Sequence, residues 1–294
     1  MLTSKPKRWQ KAVLEFFDKS PVRVFRRKDL ADLLDLHQED WGLPTHHSIS
    51  KFVPFLEDSG KLRSITLSSE SGLYSPINRY VWGQASSLQV ALSLRPSSYF
   101  THATAVFLHG LIQQLAKTVY VNKEQSPKRA PPGSLTQEAL DRAFANEQRT
   151  SRYIFSYEDA RVVLVSGKYT NRLEVCDVAG PNGEISPVTR LERTLIDIVV
   201  RPAYAGGANE VLKVYQRVKE REISVDTLIA TLSQLGYLYP YHQAIGFYME
   251  RAGFSPSHLD RLRKLGLNFD FYLANAIKER KYDRSWRLFF PEGL

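Results

Sequence analysis

Five polar side chains, close together in the sequence, could hydrogen-bond a base edge or a phosphate of DNA. They are His46, His47, Ser48, Ser50 and Lys51. Imidazole, hydroxyl and ammonium groups are the kinds of group that contact bases in the major groove and phosphates beside it. We expect these five residues to point outward from one helix and to form the base-reading part of a DNA-binding surface.

Five basic side chains nearby suit the phosphates that flank a groove. They are Arg26, Arg27 and Lys28, which open a second predicted helix, and Arg63 and Arg79 on two predicted strands. Contacts of this type position a protein on the duplex without reading its sequence. An ordinary solvated surface would carry the same residues, so this alternative stays open at the level of the sequence.

We find no set of residues with the spacing of a catalytic or metal site. His102 and His109 lie two helical turns apart, roughly 10 Å, which is too far to share a metal ion, so we expect core or interface histidines. The single cysteine, Cys176, excludes an intrachain disulfide and any multi-cysteine zinc site. We therefore expect a protein without enzymatic activity, cofactor or metal.

Acidic residues beside predicted strands leave one catalytic alternative. The pairs Glu158 with Asp159 and Glu174 with Asp177 could be ligands of a metal-dependent nuclease. Such nucleases usually place a lysine two residues after the acid, whereas Cys176 occupies that position after Glu174. We favour solvated acids at strand ends over a nuclease site.

One glycine-lysine segment has the composition of a phosphate-binding loop. It runs from Ser166 to Thr170 and follows a predicted strand. A phosphate-binding loop also needs an earlier glycine and a helix directly after it, and this sequence supplies neither. The segment is therefore predicted to be a hairpin turn.

The residues that could contact DNA lie in a region with the pattern of three short helices. Apolar side chains between Trp9 and Phe17 recur at helical spacing, which predicts a first helix over about residues 7–18. A second helix is predicted over about residues 27–36. The third would follow Thr45, a plausible N-cap, and end before Ser59-Gly60.

Two alternating segments after these helices predict a β-hairpin. Residues 62–67 and 77–82 alternate between apolar and polar side chains, as half-buried strands do. A tip rich in serine and glycine connects them over residues 68–76. Three helices followed by such a hairpin form a winged helix-turn-helix, a unit that lays its last helix in a DNA groove.

The change of pattern at Gly83–Ser87 predicts a linker between two domains. We expect an α+β protein in which residues 1–83 form the winged helix-turn-helix DNA-binding domain. Residues 84–294 would form a larger mixed α/β C-terminal domain, which an alternative divides into a strand-rich part, 84–189, and a helical part, 190–294. Helices are predicted at 88–94, 101–111, 190–200, 208–221, 224–235 and 239–253, and strands at 117–121, 152–157, 161–165, 173–178, 268–273 and 286–290. Residues 136–147 are predicted to be either a helix or partly disordered.

Composition is consistent with a globular protein that has an anionic partner. The chain has 294 residues, is 43% hydrophobic and carries a formal net charge of +9. Residues 1–7 lack the apolar run of a signal peptide. Residues 96–116 carry no formal charge but many hydroxyl, amide and imidazole groups, which favours a buried helix over a membrane span. We therefore expect a cytoplasmic protein that has no membrane partner.

Three segments of the predicted C-terminal domain resemble one family. They are Ser98–Leu111 (SYFTHATAVFLHGL), Val188–Asp197 (VTRLERTLID) and Trp286–Leu294 (WRLFFPEGL). Together with an N-terminal winged helix, and in this order, they resemble the AbiEi antitoxins. The resemblance covers most of the chain, although residues 123–150 match nothing in the family pattern.

The resemblance implies a bacterial antitoxin of a type IV toxin–antitoxin or phage-defence pair. Its winged helix would bind inverted repeats of double-stranded DNA in its own promoter, with a possible dimer on the DNA, and repress transcription. Its C-terminal domain would counter a nucleotidyltransferase-like toxin, typically without a stable complex. Arg190 and Arg193 lie in the second of these segments, where they could contact DNA or take part in a buried network.

We therefore expect a sequence-specific transcriptional autorepressor that acts as an antitoxin. Two alternatives remain at this point. One is a winged-helix regulator that senses a small ligand in its C-terminal domain, and the other is the metal-dependent nuclease, directed to DNA by a winged helix.

Overall fold

The computed structural model describes residues 7–43, 47–128 and 134–294 of the chain. Contacts divide these residues into two compact units: unit 1 comprises the described part of 1–96 together with 153–162, and unit 2 comprises the described part of 97–152 together with 163–294. The fold class is α+β, as predicted. The division at Gly83 into a DNA-binding and a C-terminal domain stays a prediction.

The helices and strands follow one another in a mixed order. In chain order they are α1 (Arg8–Lys19), β1 (Val24–Phe25), α2 (Arg27–His37), α3 (Ile49–Asp58), β2 (Leu62–Ser69), β3 (Ile77–Trp82), α4 (Ser87–Leu92), β4 (Tyr99–Phe100), α5 (His102–Leu108), β5 (Thr118–Asn122), α6 (Gln137–Ala145), β6 (Ile154–Tyr157), β7 (Ala160–Val165), β8 (Val175–Ala179), β9 (Ile185–Thr189), α7 (Leu191–Val200), a 3-10 helix (Pro202–Ala205), α8 (Ala208–Val218), α9 (Val225–Leu235), α10 (Tyr241–Arg251), α11 (Pro256–Arg263), β10 (Phe271–Tyr272), β11 (Arg280–Asp283) and β12 (Leu288–Pro291).

The three helices α1, α2 and α3 of unit 1 share one apolar core. Each contributes the side chains that helical spacing places on a single face. Phe17 and Phe52 are fully buried in this core, and Trp82 of β3 closes it. The predicted helices and hairpin of a winged helix-turn-helix are therefore present as packed elements of unit 1.

The hairpin of unit 1 belongs to a larger antiparallel sheet. Its strand order is β1-β3-β2-β6. Leu62 pairs with Trp82 across β2 and β3, while Ser68 near the end of β2 pairs with Ser156 of β6. Strand β1 was not predicted from the sequence, because two residues are too few to show alternation.

The third helix begins later than its polar residues suggested. Ser48 has an extended backbone (φ −82°, ψ 155°) and is the N-cap, so α3 starts at Ile49. His47 and Ser48 therefore precede the helix instead of lying on it. The predicted N-cap Thr45 and the candidate residue His46 lie outside the described residues.

Unit 2 combines a mixed sheet with a layer of helices. Its strand order is β7-β5-β4-β9-β8, with β4 parallel to β9. Helices α7, α8 and α10 supply much of its core, in which Leu195, Tyr215 and Ile245 are fully buried. A separate sheet with the order β10-β12-β11 packs its aromatic residues into the same core.

One predicted turn in unit 2 is wrong. Ser166–Thr170 does not close a hairpin, because the strand after it, β8, pairs with β9 and not with β7. Within the described ranges, no helix is long and apolar enough to cross a membrane. The uncharged segment 96–116 instead contains β4 and the seven-residue helix α5.

Candidate nucleic-acid interface

The first turns of α3 present a polar, unpartnered surface. Ser48, Ser50 and Lys51 are exposed, while Phe52 and Val53 on the opposite side are buried in the core. The side chains of Ser50 and Lys51 form no hydrogen bond or ion pair with the part of the chain that the structure describes. These groups are free to form hydrogen bonds with an external partner.

His47 is placed differently from the serines and the lysine. Its ring packs 5.4 Å from the ring of Trp9 and 6.4 Å from that of Phe52, measured between centroids. Its Nε2 is buried without a hydrogen-bond partner among the described residues. Burial, together with the charge of Lys51, lowers the pKa of His47. The neutral ring therefore helps to hold the segment before α3 against α1.

The three basic residues near the start of α2 divide into two kinds. Arg26 is paired with the nearby carboxylate of Asp29. Its backbone N–H donates to Asp29 Oδ2 at 2.7 Å, and its Nε donates to Asp29 Oδ1 at 3.0 Å. Arg27 and Lys28 are exposed in the first turn of α2. The Nζ of Lys28 lies 3.6 Å from Asp32, a weak exposed contact that a phosphate could replace.

The two arginines of the hairpin have opposite environments. About half of the Arg63 side chain (48%) is exposed, and its guanidinium donates to the Tyr157 hydroxyl at 3.0 Å. Arg79 is only 6% exposed, and its Nη2 donates to the carbonyls of Ser93 and Leu94 at 2.7 and 3.1 Å. The expected phosphate contact of Arg79 is therefore wrong for this conformation, since its donors already bind backbone oxygens.

The two arginines of the VTRLERTLID segment also differ. The Arg190 side chain is 60% exposed, with Nε 3.4 Å from Glu174. Arg193 is buried, and its Nε donates to Asp197 at 2.8 Å. Arg193 is thus part of a buried network and is not available to a DNA phosphate, whereas Arg190 keeps an accessible charge.

Exposed basic residues that were not predicted as site residues also lie on α1. Arg8 and Lys11 are exposed on the helix whose Trp9 ring contacts His47 and lies 4.8 Å from Phe55 of α3. Both residues lie on the side of α1 away from buried Val13, so their spacing from the apolar stripe could have identified them as exposed. They add positive charge to a helix that contacts α3 through Trp9.

Two acidic residues of the nuclease alternative each lie beside an arginine. Glu158 lies 3.7 Å from Arg63 in unit 1, whereas Glu174 lies beside Arg190 in unit 2. In the described segments of the chain, no group of three or more histidine, cysteine, aspartate or glutamate side chains could hold a metal ion.

Comparison with known proteins identifies a shared fold. No family model matches the chain, and no curated protein matches it. Among solved structures, the crystal structure of the RV2827C protein from Mycobacterium tuberculosis is similar, with a TM-score of 0.57 and 14% sequence identity. The alignment covers 97% of this chain and 92% of the other. At this identity the likeness shows the fold alone, over nearly the whole length of both proteins.

Proposed function

We propose that this chain is a sequence-specific DNA-binding repressor of its own promoter. It acts as the antitoxin to a nucleotidyltransferase-like toxin, as the resemblance to the AbiEi family implies. The observation that carries the DNA-binding part is the exposed, unpartnered polar start of α3. It lies in a three-helix and hairpin arrangement that presents such a helix to the major groove.

In this proposal Ser50 and Lys51 contact base edges, because their side chains leave the helix on its solvent side. Arg27 and Lys28 contact the phosphate backbone from the start of α2, and Arg63 does so from the hairpin. Arg8 and Lys11 add further charge near the same surface. The phosphate contacts make the affinity fall steeply as salt rises.

Inverted repeats in the promoter would engage two copies of the chain. Each copy would place one α3 in one half-site, so the symmetry of the repeat would match that of the protein pair. The C-terminal residues would counter the toxin, as the family resemblance implies. No cofactor takes part in either activity.

The experiment is a titration of the full chain against the DNA upstream of its own gene, monitored by fluorescence anisotropy. The variant Ser50→Ala/Lys51→Ala removes two of the proposed contacts without touching the core. We expect it to weaken specific binding by about 1–3 kcal/mol for each lost base contact, which is about 5- to 150-fold per contact.

The matched control is Lys213→Ala, which removes an exposed lysine from α8 in unit 2. Its ion pair with Glu210 spans 2.7 Å on an exposed surface, so its loss changes stability little. We expect this control to bind the upstream DNA as the unmodified chain does. Equal affinity of the unmodified chain for upstream and scrambled DNA would show that the proposal of sequence-specific binding is wrong.

A further inference from the structure

Unit 2 contains a large cavity at the place where two of the resembling segments meet. Its volume is about 940 Å³, which is within the range of small-molecule sites. Residues of the SYFTHATAVFLHGL and LERTLID segments line it together with the loop after β7 and the residues after α9. Its polar lining includes Thr101, His102, Lys168, Arg193, Arg201 and Tyr237.

The cavity is bordered by a buried ion pair. Arg193 Nε donates to Asp197 Oδ1 at 2.8 Å, and Thr101 Oγ1 donates to Oδ2 at 3.0 Å. The side chains of this pair are only 6% and 7% exposed. Both oxygens of the carboxylate are therefore occupied, and its charge is neutralised from within the protein.

Arg193 retains a donor group that this pairing does not use. Its Nη1 donates to the carbonyl of Leu173 at 3.3 Å, while its Nη2 donates to no atom of the described residues. Burial of an ion pair costs desolvation energy that apolar residues of similar size would avoid. A buried arginine that keeps an unused N–H donor on the wall of a cavity therefore suggests that a ligand accepts this hydrogen bond. A guanidinium binds planar or tetrahedral oxyanions with two parallel hydrogen bonds.

His102 adds a second unused group to the same cavity. The residue is only 6% exposed, and its Nδ1 has no hydrogen-bond partner among the described residues. Its backbone has φ +51°, a conformation that non-glycine residues adopt infrequently and that occurs preferentially at ligand sites. Burial lowers the pKa of His102 to about 4, so the ring is neutral at physiological pH and can donate one N–H.

Tyr237 presents a hydroxyl to this group of side chains. Burial, and then the charge of Asp197, raises the pKa of Tyr237 well above its usual value. The hydroxyl is therefore protonated, and no hydrogen bond joins it to the described part of the protein. After Arg193 and His102, Tyr237 is the third residue at this cavity whose hydrogen-bonding group has no partner among the described residues.

The charge of the lining favours an anion. The described lining residues include four cationic side chains, at Lys128, Lys168, Arg193 and Arg201, and one carboxylate, at Asp197. Lys168 Nζ is held in place by the carbonyls of Leu235 and Gly236, at 2.8 and 3.1 Å. These bonds orient the ammonium group without neutralising it.

We propose that this cavity binds a small phosphate-containing anion, up to about the size of a nucleotide. Arg193 and Arg201 bind its phosphate, and His102 and Tyr237 donate hydrogen bonds to its oxygens. The site goes beyond the proposed DNA-binding and antitoxin functions, because it makes the chain a receptor for a small metabolite. A duplex is not the source of the phosphate, because Arg193 and His102 are too deeply buried to meet a DNA backbone.

The test is isothermal titration calorimetry of the full chain, without DNA or metal, with inorganic phosphate, pyrophosphate and ATP as separate probes. We expect saturable binding of ATP or pyrophosphate with one site per chain. Arg201→Gln should weaken it about tenfold or more, as expected for a lost charge-assisted hydrogen bond. Tyr237→Phe, which removes only an unpartnered hydroxyl, should weaken it about 2- to 10-fold.

The control is Arg251→Gln, which removes a guanidinium elsewhere in unit 2 that donates to the carbonyl of Leu294 at 2.6 Å. It should leave binding unchanged. Binding of inorganic phosphate or pyrophosphate without ATP supports the site and identifies a smaller anion as its ligand. The absence of saturable heat from all three probes at millimolar concentration would overturn the proposal. So would equal affinity in Tyr237→Phe, Arg201→Gln and the unmodified chain. Because no DNA is present, the result is independent of the proposed operator binding.

Discussion

Arg63 and Arg79 illustrate how burial decides the role of a charged residue. Both lie on strands of one hairpin, and Arg79 faces Ile65 across the ladder while Arg63 faces Val81. The carbonyls of Ser93 and Leu94, at the end of α4, lack helical N–H partners and bind the Arg79 guanidinium. Burial lowers the pKa of Arg79 to about 10, and it remains charged at neutral pH. The hydrogen bonds of Arg79 therefore join the hairpin to the end of α4, whereas the charge of Arg63 stays accessible.

His102 provides a prediction about pH and stability at the level of one residue. The unfolded chain binds a proton at His102 below about pH 6.5, whereas the folded chain does so only near pH 4. Stability from the neutral ring is therefore complete above pH 6.5 and is lost as pH falls towards 4. Between pH 7.5 and pH 5, this residue should lower the free energy of unfolding by about 2 kcal/mol.

The measurement is urea unfolding at pH 7.5 and pH 5.0, for the unmodified chain and for His102→Asn. Asparagine tolerates the left-handed backbone at this position and has no titratable group. We expect the variant to lose about 2 kcal/mol less than the unmodified chain over this interval. Equal losses in the two proteins would mean that His102 does not stay neutral in the folded state.

In helix α10, the close approach of one aromatic ring restricts which residue can occupy one position. Gly246 lies inside this helix, and a Cβ added there would be 2.2 Å from ring atoms of Trp286. The indole is fully buried, and its Nε1 donates to Glu250 Oε2 at 2.9 Å. A glycine is disfavoured in a helix interior by about 1 kcal/mol relative to alanine. Here it allows the large ring of Trp286 to pack against the helix backbone.

We predict that Gly246→Ala destabilises the chain by about 1–3 kcal/mol, although alanine is the better helix former. The overlap with Trp286 outweighs the gain in helix propensity. Denaturant unfolding of Gly246→Ala, Trp286→Leu and the double variant measures the coupling between the two sites. In the Trp286→Leu background, Gly246→Ala should cost less or should stabilise. An identical effect of Gly246→Ala in both backgrounds would contradict the steric explanation.

At the scale of the whole molecule, the proposed activities map to different parts of the chain. Ser50 and Lys51, which we propose contact DNA, belong to unit 1, while Ser98–Leu111 and Val188–Asp197 belong to unit 2. If the family resemblance holds, Ser50→Ala/Lys51→Ala should abolish repression of a reporter driven by the upstream DNA. The same variant should still protect cells that express the toxin.

The measurement pairs the reporter signal with growth during toxin expression from a second plasmid, with Lys213→Ala as the control in both assays. Loss of repression and of protection together in Ser50→Ala/Lys51→Ala, at normal protein level, would refute the separation of the two activities.

Much of the fold was predictable, because helical spacing and strand alternation are local properties of a chain. The apolar stripe from Trp9 to Phe17 predicted α1, and the alternating segments predicted β2 and β3 at nearly their observed bounds. Short or unpatterned elements were missed, among them β1, β9, α11 and β11. The two residues of β1 are too few for alternation to be recognised, and β9, α11 and β11 show no clear apolar period.

The candidate surface was predictable in part for the same reason. Ser50 and Lys51 are on the exposed side of α3, since buried Phe52 and Val53 define the opposite side. The environment of His47 and Arg79 was not predictable, because each depends on contacts with residues distant in the sequence, such as Trp9 and Ser93.

The sequence by itself determined which segments form the main helices and the hairpin of unit 1, and that the chain carries an excess of positive charge. Only the tertiary structure decided which charges are accessible. It also brought Thr101 and His102 against Arg193 and Asp197, which are more than ninety residues away. The physical reason is that periodicity is a property of neighbours along the chain. Desolvation and hydrogen-bond pairing, in contrast, depend on every group that folding brings into contact.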